Sequence, residues 1–175
     1  MPARTVSDRP PSWAIVGTLV FVAVLPGTVV GVVPYLLTRW TSRPPLLGTI
    51  ASRAIGVGLV VVGLAVFVDF CVRFVREGHG TPAPVAPTSR LVVGGPYRWV
   101  RNPGYVAVLA MIVGQGLLFG APSLLAYAAG VAVGFHLFVI LYEEPALRRS
   151  FGPEYEAYCR AVPRWIPRLP APRQG

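Results

Sequence analysis

The sequence predicts an all-α membrane protein, a polytopic bundle of about four transmembrane helices with an amphipathic cytoplasmic helix at the C-terminus. Hydrophobic residues make up 54% of the 175 residues and charged residues only 13%, roughly half the charged share of a soluble domain. Mean hydropathy is +0.59. The formal net charge is nevertheless +9, and all 16 basic residues are arginine. This composition excludes intrinsic disorder and disfavours a soluble globule.

The first predicted helix is bounded by charges on both sides. No charged residue occurs between Arg9 and Arg39, and the apolar run Trp13–Leu37 exceeds the roughly 20 residues that cross a bilayer. Pro26 and Pro34 lie inside the run. A soluble helix would be broken by them, whereas a membrane helix tolerates such kinks. We therefore expect one kinked span.

The second predicted helix covers about Leu46–Phe70. Arg53 and Asp69 bracket its apolar core, and both side chains can reach the membrane interface. Asp69 and Arg73 are four residues apart, so we expect them to pair on one helix face.

The third and fourth helices are predicted to form a hairpin. The stretch from Asn102 to Tyr142 has no formal charge and is roughly twice the length that one span needs. Gly120–Ser123, which contains a proline, interrupts it. We expect helix three over Tyr105–Phe119, which is short for a span, and helix four over Ser123–Tyr142.

The arginines predict the orientation of the spans. With a cytoplasmic N-terminus, every arginine except Arg39, Arg43 and Arg53 falls on the cytoplasmic side, as the positive-inside rule requires. Both termini are then cytoplasmic, and the lipid bilayer is the partner that the charges flank. Because they form no single basic face, the pattern disfavours nucleic-acid binding.

One structural domain is expected, with an N-terminal two-helix region over 1–76 and a C-terminal region over 77–175. The latter begins with a segment rich in Gly and Pro, Glu77 to Pro103, which we interpret as a lid or pocket wall, or else as a loop lying on the headgroups. Cys71 and Cys159 have no metal-ligand spacing, so free thiols and no metal site are expected.

Glu143 and Glu144 are the most informative residues. Two adjacent carboxylates follow directly on the fourth apolar run, where the helix dipole disfavours them. A cation should compensate, either Arg148 or a cationic ligand. His136 lies two turns earlier on the same face and is expected to face the bundle interior, as a core histidine or as a ligand-binding group.

Two glycines on the third helix are a weaker signal. Gly114 and Gly116 allow close approach of either another helix or a flat ligand, and helix packing is the more common explanation. Gly116 and Tyr105 are about three turns apart, which places them on one face.

A set of motifs in the C-terminal region resembles one known family, the integral-membrane methyltransferases of the isoprenylcysteine carboxyl methyltransferase and phospholipid methyltransferase group. The resemblance covers about residues 77–168. The motifs stand here as Gly95-Pro96-Tyr97, Arg101-Asn102-Pro103-Gly104-Tyr105, Glu143-Glu144-Pro145-Ala146-Leu147, Phe151-Gly152, Tyr155, Tyr158 and Pro163-Arg164-Trp165-Ile166-Pro167.

The sequence departs from the family pattern at two positions. Asn102 replaces the usual histidine and Ala107 the usual glycine. Asparagine hydrogen-bonds but does not titrate near neutral pH. If the family uses that position as a general base, this protein lacks it; if the position only contacts cofactor, asparagine can serve.

The resemblance implies an S-adenosylmethionine-dependent methyltransferase acting on a hydrophobic or lipid-attached acceptor. It implies a carboxylate pair on the cofactor ammonium, an arginine on its carboxylate, and aromatic and glycine walls around the adenine. The implied catalytic residues are Arg101, Asn102 and Tyr105. The implied cofactor-binding residues are Tyr97, Arg98, Tyr105, Gly114, Gly116, His136, Glu143 and Glu144.

Three hypotheses for the function follow. Methylation of a carboxylate oxygen needs only a deprotonated acceptor, so the missing histidine favours an O-methyltransferase. A phospholipid N-methyltransferase is the alternative, although an amine must lose a proton before it is methylated. The third hypothesis is a non-enzymatic membrane protein that retains the fold.

Overall fold

The computed structural model describes residues 12–76 and 91–168, and every regular element in these ranges is helical. The α-helices are α1 (Ser12–Pro26), α2 (Val33–Thr38), α3 (Ile50–Arg76), α4 (Pro103–Phe119), α5 (Pro122–Phe138) and α6 (Glu144–Ala161). Two π-helical segments join some of them: the first π segment (Gly27–Val32) lies between α1 and α2, and the second π segment (Val139–Glu143) lies between α5 and α6. Short 3₁₀ turns occur at Leu46–Gly48 and Gly95–Arg98.

Three of the described helical stretches are long and apolar enough to cross a membrane. They are Val16–Thr38, Ile50–Arg73 and the apolar part of the continuous stretch Pro122–Ala161, while Pro103–Phe119 is a shorter apolar helix. This confirms the predicted polytopic, all-α architecture. The second helix begins and ends later than predicted, because the residues around Leu46 form a 3₁₀ turn and helical geometry continues to Arg76.

α4 lies at the centre of the bundle and packs closely on α3. The core joins Phe67 of α3, Ile112 of α4 and Ala128 of α5, and Ile112 is fully buried. The α3–α4 contact depends on glycine, since a Cβ added at Gly56 would lie 2.6 Å from the carbonyl oxygen of Gly114. The two backbones therefore touch, as in other small-residue helix contacts in membranes.

The first π segment is held by two polar side chains of the hairpin. Pro26 ends α1 and Pro34 lies in the first turn of α2, and the helix leaves α geometry between the two prolines. Gln115 Nε2 donates to the carbonyl of Val30 at 2.9 Å. Tyr127 Oη donates to the carbonyl of Val29 at 3.1 Å. Prolines and wide turns release backbone carbonyls in an apolar environment, and these two donors satisfy them.

The tight turn between α4 and α5 forms as predicted. Gly120 ends α4 with φ 65° and ψ 38°, a left-handed conformation that glycine adopts without strain. A side chain at this position would also collide with the carbonyl of Pro44. The loop after α2 therefore lies against the hairpin tip, where Arg43 N donates to Phe119 O at 3.0 Å.

The helical chain does not end at the two glutamates, because α5 is followed without a break by the second π segment and then by α6. α6 is kinked at Gly152, whose φ of 48° and ψ of −122° are not helical. After Val162 the chain turns back along the start of α4, and Arg101 N donates to Pro163 O at 2.8 Å. This returning segment, 162–168, brings the last motif of the sequence next to the first ones.

Candidate functional site

The side chains of Glu143 and Glu144, at the end of the second π segment, lie in different surroundings. Glu143 is the last residue of that segment and Glu144 the first of α6. Glu144 is only 3% exposed and is surrounded by arginines, whereas Glu143 points to Tyr105 of α4. The sequence predicted one carboxylate pair with one task; the structure separates the two carboxylates.

Three arginines compensate Glu144. Arg164 donates to it from Nε at 2.6 Å and from Nη2 at 3.1 Å, a bidentate contact that gives the strongest ion pairs. Arg101 Nη1 donates at 3.0 Å and Arg148 Nη2 at 3.3 Å. The hydrogen bond to Glu144 raises the pKa of Arg164, so this cluster stays charged. Arg148, one of the two cations that the sequence offered as compensation for the glutamates, thus contacts Glu144.

Arg101 connects this cluster to the interior of the site. Its side chain is 11% exposed, and Nη1 also contacts Cys159 Sγ at 2.8 Å. Its Nε is buried and has no hydrogen-bond partner among the described residues. An unpaired N–H in a buried guanidinium costs free energy unless a ligand or water accepts from it.

Glu143 has no arginine partner within residues 12–76 and 91–168. One carboxylate oxygen, Oε2, accepts a hydrogen bond from Tyr105 Oη at 2.8 Å. The Tyr105 ring lies between Phe135, at 4.6 Å between centroids, and Trp165, at 6.4 Å. Tyr105 is thereby fixed and in turn orients Glu143. A carboxylate that is hydrogen-bonded but unpaired in charge is suited to bind a cationic group.

Two small cavities meet at these residues, with volumes of about 60 Å³ and 50 Å³. Glu143, Arg101, Asn102 and Tyr97 line both of them. One extends towards α6, where it is lined by Leu91, Val92, Leu147, Tyr155 and Tyr158. The other extends towards the bundle, where it is lined by Phe21, Phe70, Pro103, Gly104 and Tyr105. Each presents a carboxylate and a guanidinium on an otherwise mostly apolar or aromatic wall.

Asn102 holds the returning segment against the start of α4. It is buried, with 8% exposure, and its Nδ2 donates to the carbonyl of Arg164 at 3.1 Å. Together with the bond from Arg101 N to Pro163 O, it fixes the returning segment and hence Arg164 on Glu144. An amide performs this role without any titratable group.

Tyr158 holds the loop before α4 against α6. Its hydroxyl donates to the carbonyl of Tyr97 at 2.8 Å. Burial raises the pKa of Tyr158 above its ordinary value, so the phenol stays protonated and remains a donor. Tyr97 itself is buried in the 3₁₀ turn, and its ring is tilted against that of Phe70, with centroids 6.3 Å apart.

The remaining predicted site residues lie elsewhere. Arg98 is exposed on the 3₁₀ turn. Gly114 packs on the backbone of α3 and Gly116 packs on Leu125 of α5, which agrees with helix packing. The expectation that His136 faces the bundle interior is wrong, because its side chain lies on an exposed face of α5. There its Nδ1 accepts a hydrogen bond from Trp165 Nε1 at 3.2 Å.

Sequence reasoning had not assigned Arg164, Trp165 or Tyr158 to the site. Each belongs to a motif that the resemblance included, Tyr158 in α6 and the other two in the returning segment. The signal was therefore present, but the separation of 62 residues between Asn102 and Arg164 hid the contact. The segment 77–90, including the first part of the predicted lid, lies outside the described residues.

Two bacterial proteins are similar over 90% of this chain. The nickel-cobalt-cadmium resistance protein NccN of Alcaligenes xylosoxydans xylosoxydans is 28% identical over 160 residues, which is 63% of its length. The cobalt-zinc-cadmium resistance protein CzcN of Cupriavidus metallidurans is 32% identical over 162 residues, 62% of its length. The chain thus spans less than two thirds of these relatives.

A probable protein-S-isoprenylcysteine O-methyltransferase of rice, Oryza sativa subsp. indica, is 38% identical over 80 residues, which is 45% of this chain and 41% of the rice protein. No solved structure matches the chain. A family model described as phospholipid methyltransferase matches residues 51–154, a range that includes α4, α5, Glu143 and all of α3 except its first residue. The chain belongs to the phospholipid methyltransferase family of membrane proteins.

Proposed function

We propose that this protein is an S-adenosylmethionine-dependent membrane methyltransferase that methylates an oxygen of a lipidic or lipid-attached acceptor. The observation that carries the proposal is that, within the described residues, a carboxylate without a counter-charge, Glu143, and a guanidinium with an unpaired N–H, Arg101, line the same two cavities. Glu143 lacks a cationic partner among the described residues, and the buried Nε of Arg101 lacks an acceptor. The family membership supports methylation as the chemistry.

The two groups fit the amino-acid end of S-adenosylmethionine. Its α-ammonium matches Glu143, and its carboxylate matches Arg101 Nε, both through charge-assisted hydrogen bonds. The cavities of about 60 Å³ and 50 Å³ would take only this end of the molecule, and the adenosine end would extend beyond them. When bound, the cofactor supplies an electrophilic methyl group on a sulfonium centre.

The residues around the cavities position and shield the reactants. The hydrogen bond from Tyr105 holds the Glu143 carboxylate in place, and the hydrogen bond to Glu144 holds the Arg101 guanidinium in place. The returning segment, held by Asn102, closes the site together with α6. Transfer by in-line displacement depends mainly on such alignment and on exclusion of water. Glu144 therefore acts as a positioning residue in this proposal.

An oxygen acceptor suits this environment better than an amine. Neither cavity is lined by a histidine within the described residues, and the Asn102 amide donates its N–H to a backbone carbonyl. An ammonium acceptor would need a base to remove its proton, whereas a carboxylate is already ionised near neutral pH. The similarity to the rice O-methyltransferase points the same way.

Binding of radiolabelled S-adenosylmethionine to purified protein in detergent tests the proposal. We expect Glu143→Gln to weaken binding at least tenfold, because it removes the charge that faces the ammonium. Glu154→Gln, the same change at an exposed glutamate of α6, should bind like the wild type. Equal binding by the wild type and Glu143→Gln would refute the proposed site.

A role in metal resistance is a second candidate function, favoured by similarity to the two resistance proteins over 90% of the chain. Among the described residues there is no group of three or more potential metal ligands. Growth of cells with and without the protein on nickel, cobalt, zinc and cadmium salts tests this role. Including Glu143→Gln shows whether the same site is needed.

A further inference from the structure

A groove on the outer surface of the bundle lies beside the site. It has a volume of about 340 Å³ and is lined by Val106 and Leu109 of α4, Ala132 and His136 of α5, and Trp165 of the returning segment. Small-molecule sites begin at about 300 Å³. The walls are almost entirely apolar, and α4 and α5 form the apolar hairpin of a membrane protein. The groove is therefore open to lipid.

His136 is the polar group of this groove. Its Nδ1 accepts the indole N–H of Trp165 at 3.2 Å, so the neutral ring carries its hydrogen on Nε2. The imidazole thus offers one N–H donor on an exposed, apolar face of a helix. Such a group is costly in a membrane unless it meets a polar partner, and the partner must accept a hydrogen bond.

Two aromatic rings, those of Trp165 and Tyr105, lie between the groove and the proposed cofactor site. Trp165 forms a wall of the groove and lies 6.4 Å from Tyr105 between ring centroids. Tyr105 in turn donates to Glu143. His136, by contrast, lines neither cavity at Glu143. This placement separates a lipid-side groove from the cavities that hold Glu143 and Arg101.

We propose that this groove binds the aliphatic chain of the methyl acceptor and that His136 Nε2 donates a hydrogen bond to an oxygen of its head group. His136 is then a residue of the acceptor site, whereas the sequence predicted it among the cofactor-binding residues. The acceptor is a single-chain amphiphile with an oxygen-bearing head. The role as acceptor site rests on the proposed function, but binding of the chain does not.

Photo-crosslinking with a stearic acid that carries a mid-chain diazirine tests the groove in purified full-length protein. We expect crosslinks in peptides containing Val106–Leu109 and Ala132–His136, competed by unlabelled stearate. Ala132→Phe fills the groove and should lower crosslinking at least fivefold. Ala126→Phe is the matched control, because Ala126 is exposed on the same helix and points about 120° away.

Two substitutions of His136 test its proposed hydrogen bond to the head group. His136→Leu should lower stearate crosslinking about fivefold, the effect of one lost hydrogen bond, and His136→Gln should restore it because its amide N–H replaces the Nε2 donor. If Ala132→Phe leaves crosslinking unchanged, the groove does not bind the chain. If His136→Gln does not restore crosslinking, His136 does not donate to the head group.

Binding of labelled S-adenosylmethionine separates this inference from the proposed function. Ala132→Phe should bind the cofactor like the wild type, since Ala132 lines neither cavity at Glu143. If the wild type crosslinks stearate in the groove but binds no cofactor, the proposed function fails and the groove is not an acceptor site. If it binds cofactor but stearate labels all exposed faces equally, only the groove is refuted.

Discussion

At the scale of single residues, Glu143 and Glu144 have the same side chain and opposite roles. Glu144 is surrounded by three guanidinium groups, while Glu143 meets only a tyrosine hydroxyl within the described residues. In the first arrangement the negative charge of Glu144 is compensated by the protein itself. The second is incomplete and gains from a cation. Adjacent carboxylates should therefore respond differently to the same substitution.

We expect Glu144→Gln to lower the stability of the fold by about 3 kcal/mol, the lower end of what removing one partner of a buried ion pair costs. Arg101 and Arg164 would then face each other without a counter-charge. Thermal unfolding in detergent, followed by circular dichroism, measures the change. Glu143→Gln should unfold at the wild-type temperature, and a similar loss in both variants would contradict the division of roles.

The sequence predicted part of this cluster. The pair of Glu144 and Arg148 could be inferred because it spans one helical turn. Arg101 and Arg164 could not, because they lie 43 and 20 residues away and meet Glu144 only when the chain after α6 turns back. Likewise, the asparagine in place of histidine was visible, but its bond to the Arg164 carbonyl required the structure.

At the scale of elements, hydropathy and charge predicted where the helices lie. The turn at Gly120 and the pairing of Asp69 with Arg73, at 2.8 Å, also follow the local pattern. The local sequence pattern does not predict the π segments, because a π turn uses the same apolar residues as an α turn and differs only in hydrogen-bond register. The outward position of His136 was missed for a different reason. In a membrane, an exposed face is apolar too, so polarity alone does not locate the interior.

The α3–α4 contact supports a prediction about glycine. Gly56→Val should weaken helix packing by at least 1–3 kcal/mol, as overpacking does, because its Cβ would lie 2.6 Å from Gly114 O and 2.8 Å from Leu118 N. Gly58→Val is the control on the same helix, since a Cβ there meets nothing within 4 Å. Thermal unfolding should shift for Gly56→Val only; equal shifts would show that helix propensity dominates.

At the scale of the whole molecule, the parts of the site gather at one end of the bundle. The end of α5, the start of α4 and the returning segment meet there, while the loop after α2 and the tip of the α4–α5 hairpin lie at the other end. The excess of arginine belongs to the end with Glu143. The positive-inside rule therefore predicts that this end faces the cytoplasm, where a soluble cofactor would reach it.

Labelling of Cys159 tests this orientation. In a Cys71→Ser background, Cys159 of α6 is the one remaining cysteine of the chain. A membrane-impermeant maleimide should label it in inverted vesicles and not in intact cells, because α6 would lie on the cytoplasmic side. Labelling from outside intact cells would contradict the orientation and move the site to the other face of the membrane.

The second π segment has a consequence for comparing related chains. A π turn accommodates one residue more than the α turn it replaces, so loss of any single residue within Val139–Glu143 would restore a regular helix. Because the π turn spreads about the same rotation over one more residue, α6 would keep its orientation about the helix axis after this loss. In an alignment, a one-residue gap at this point therefore marks a relative in which the helix continues from α5 into α6 without the π turn.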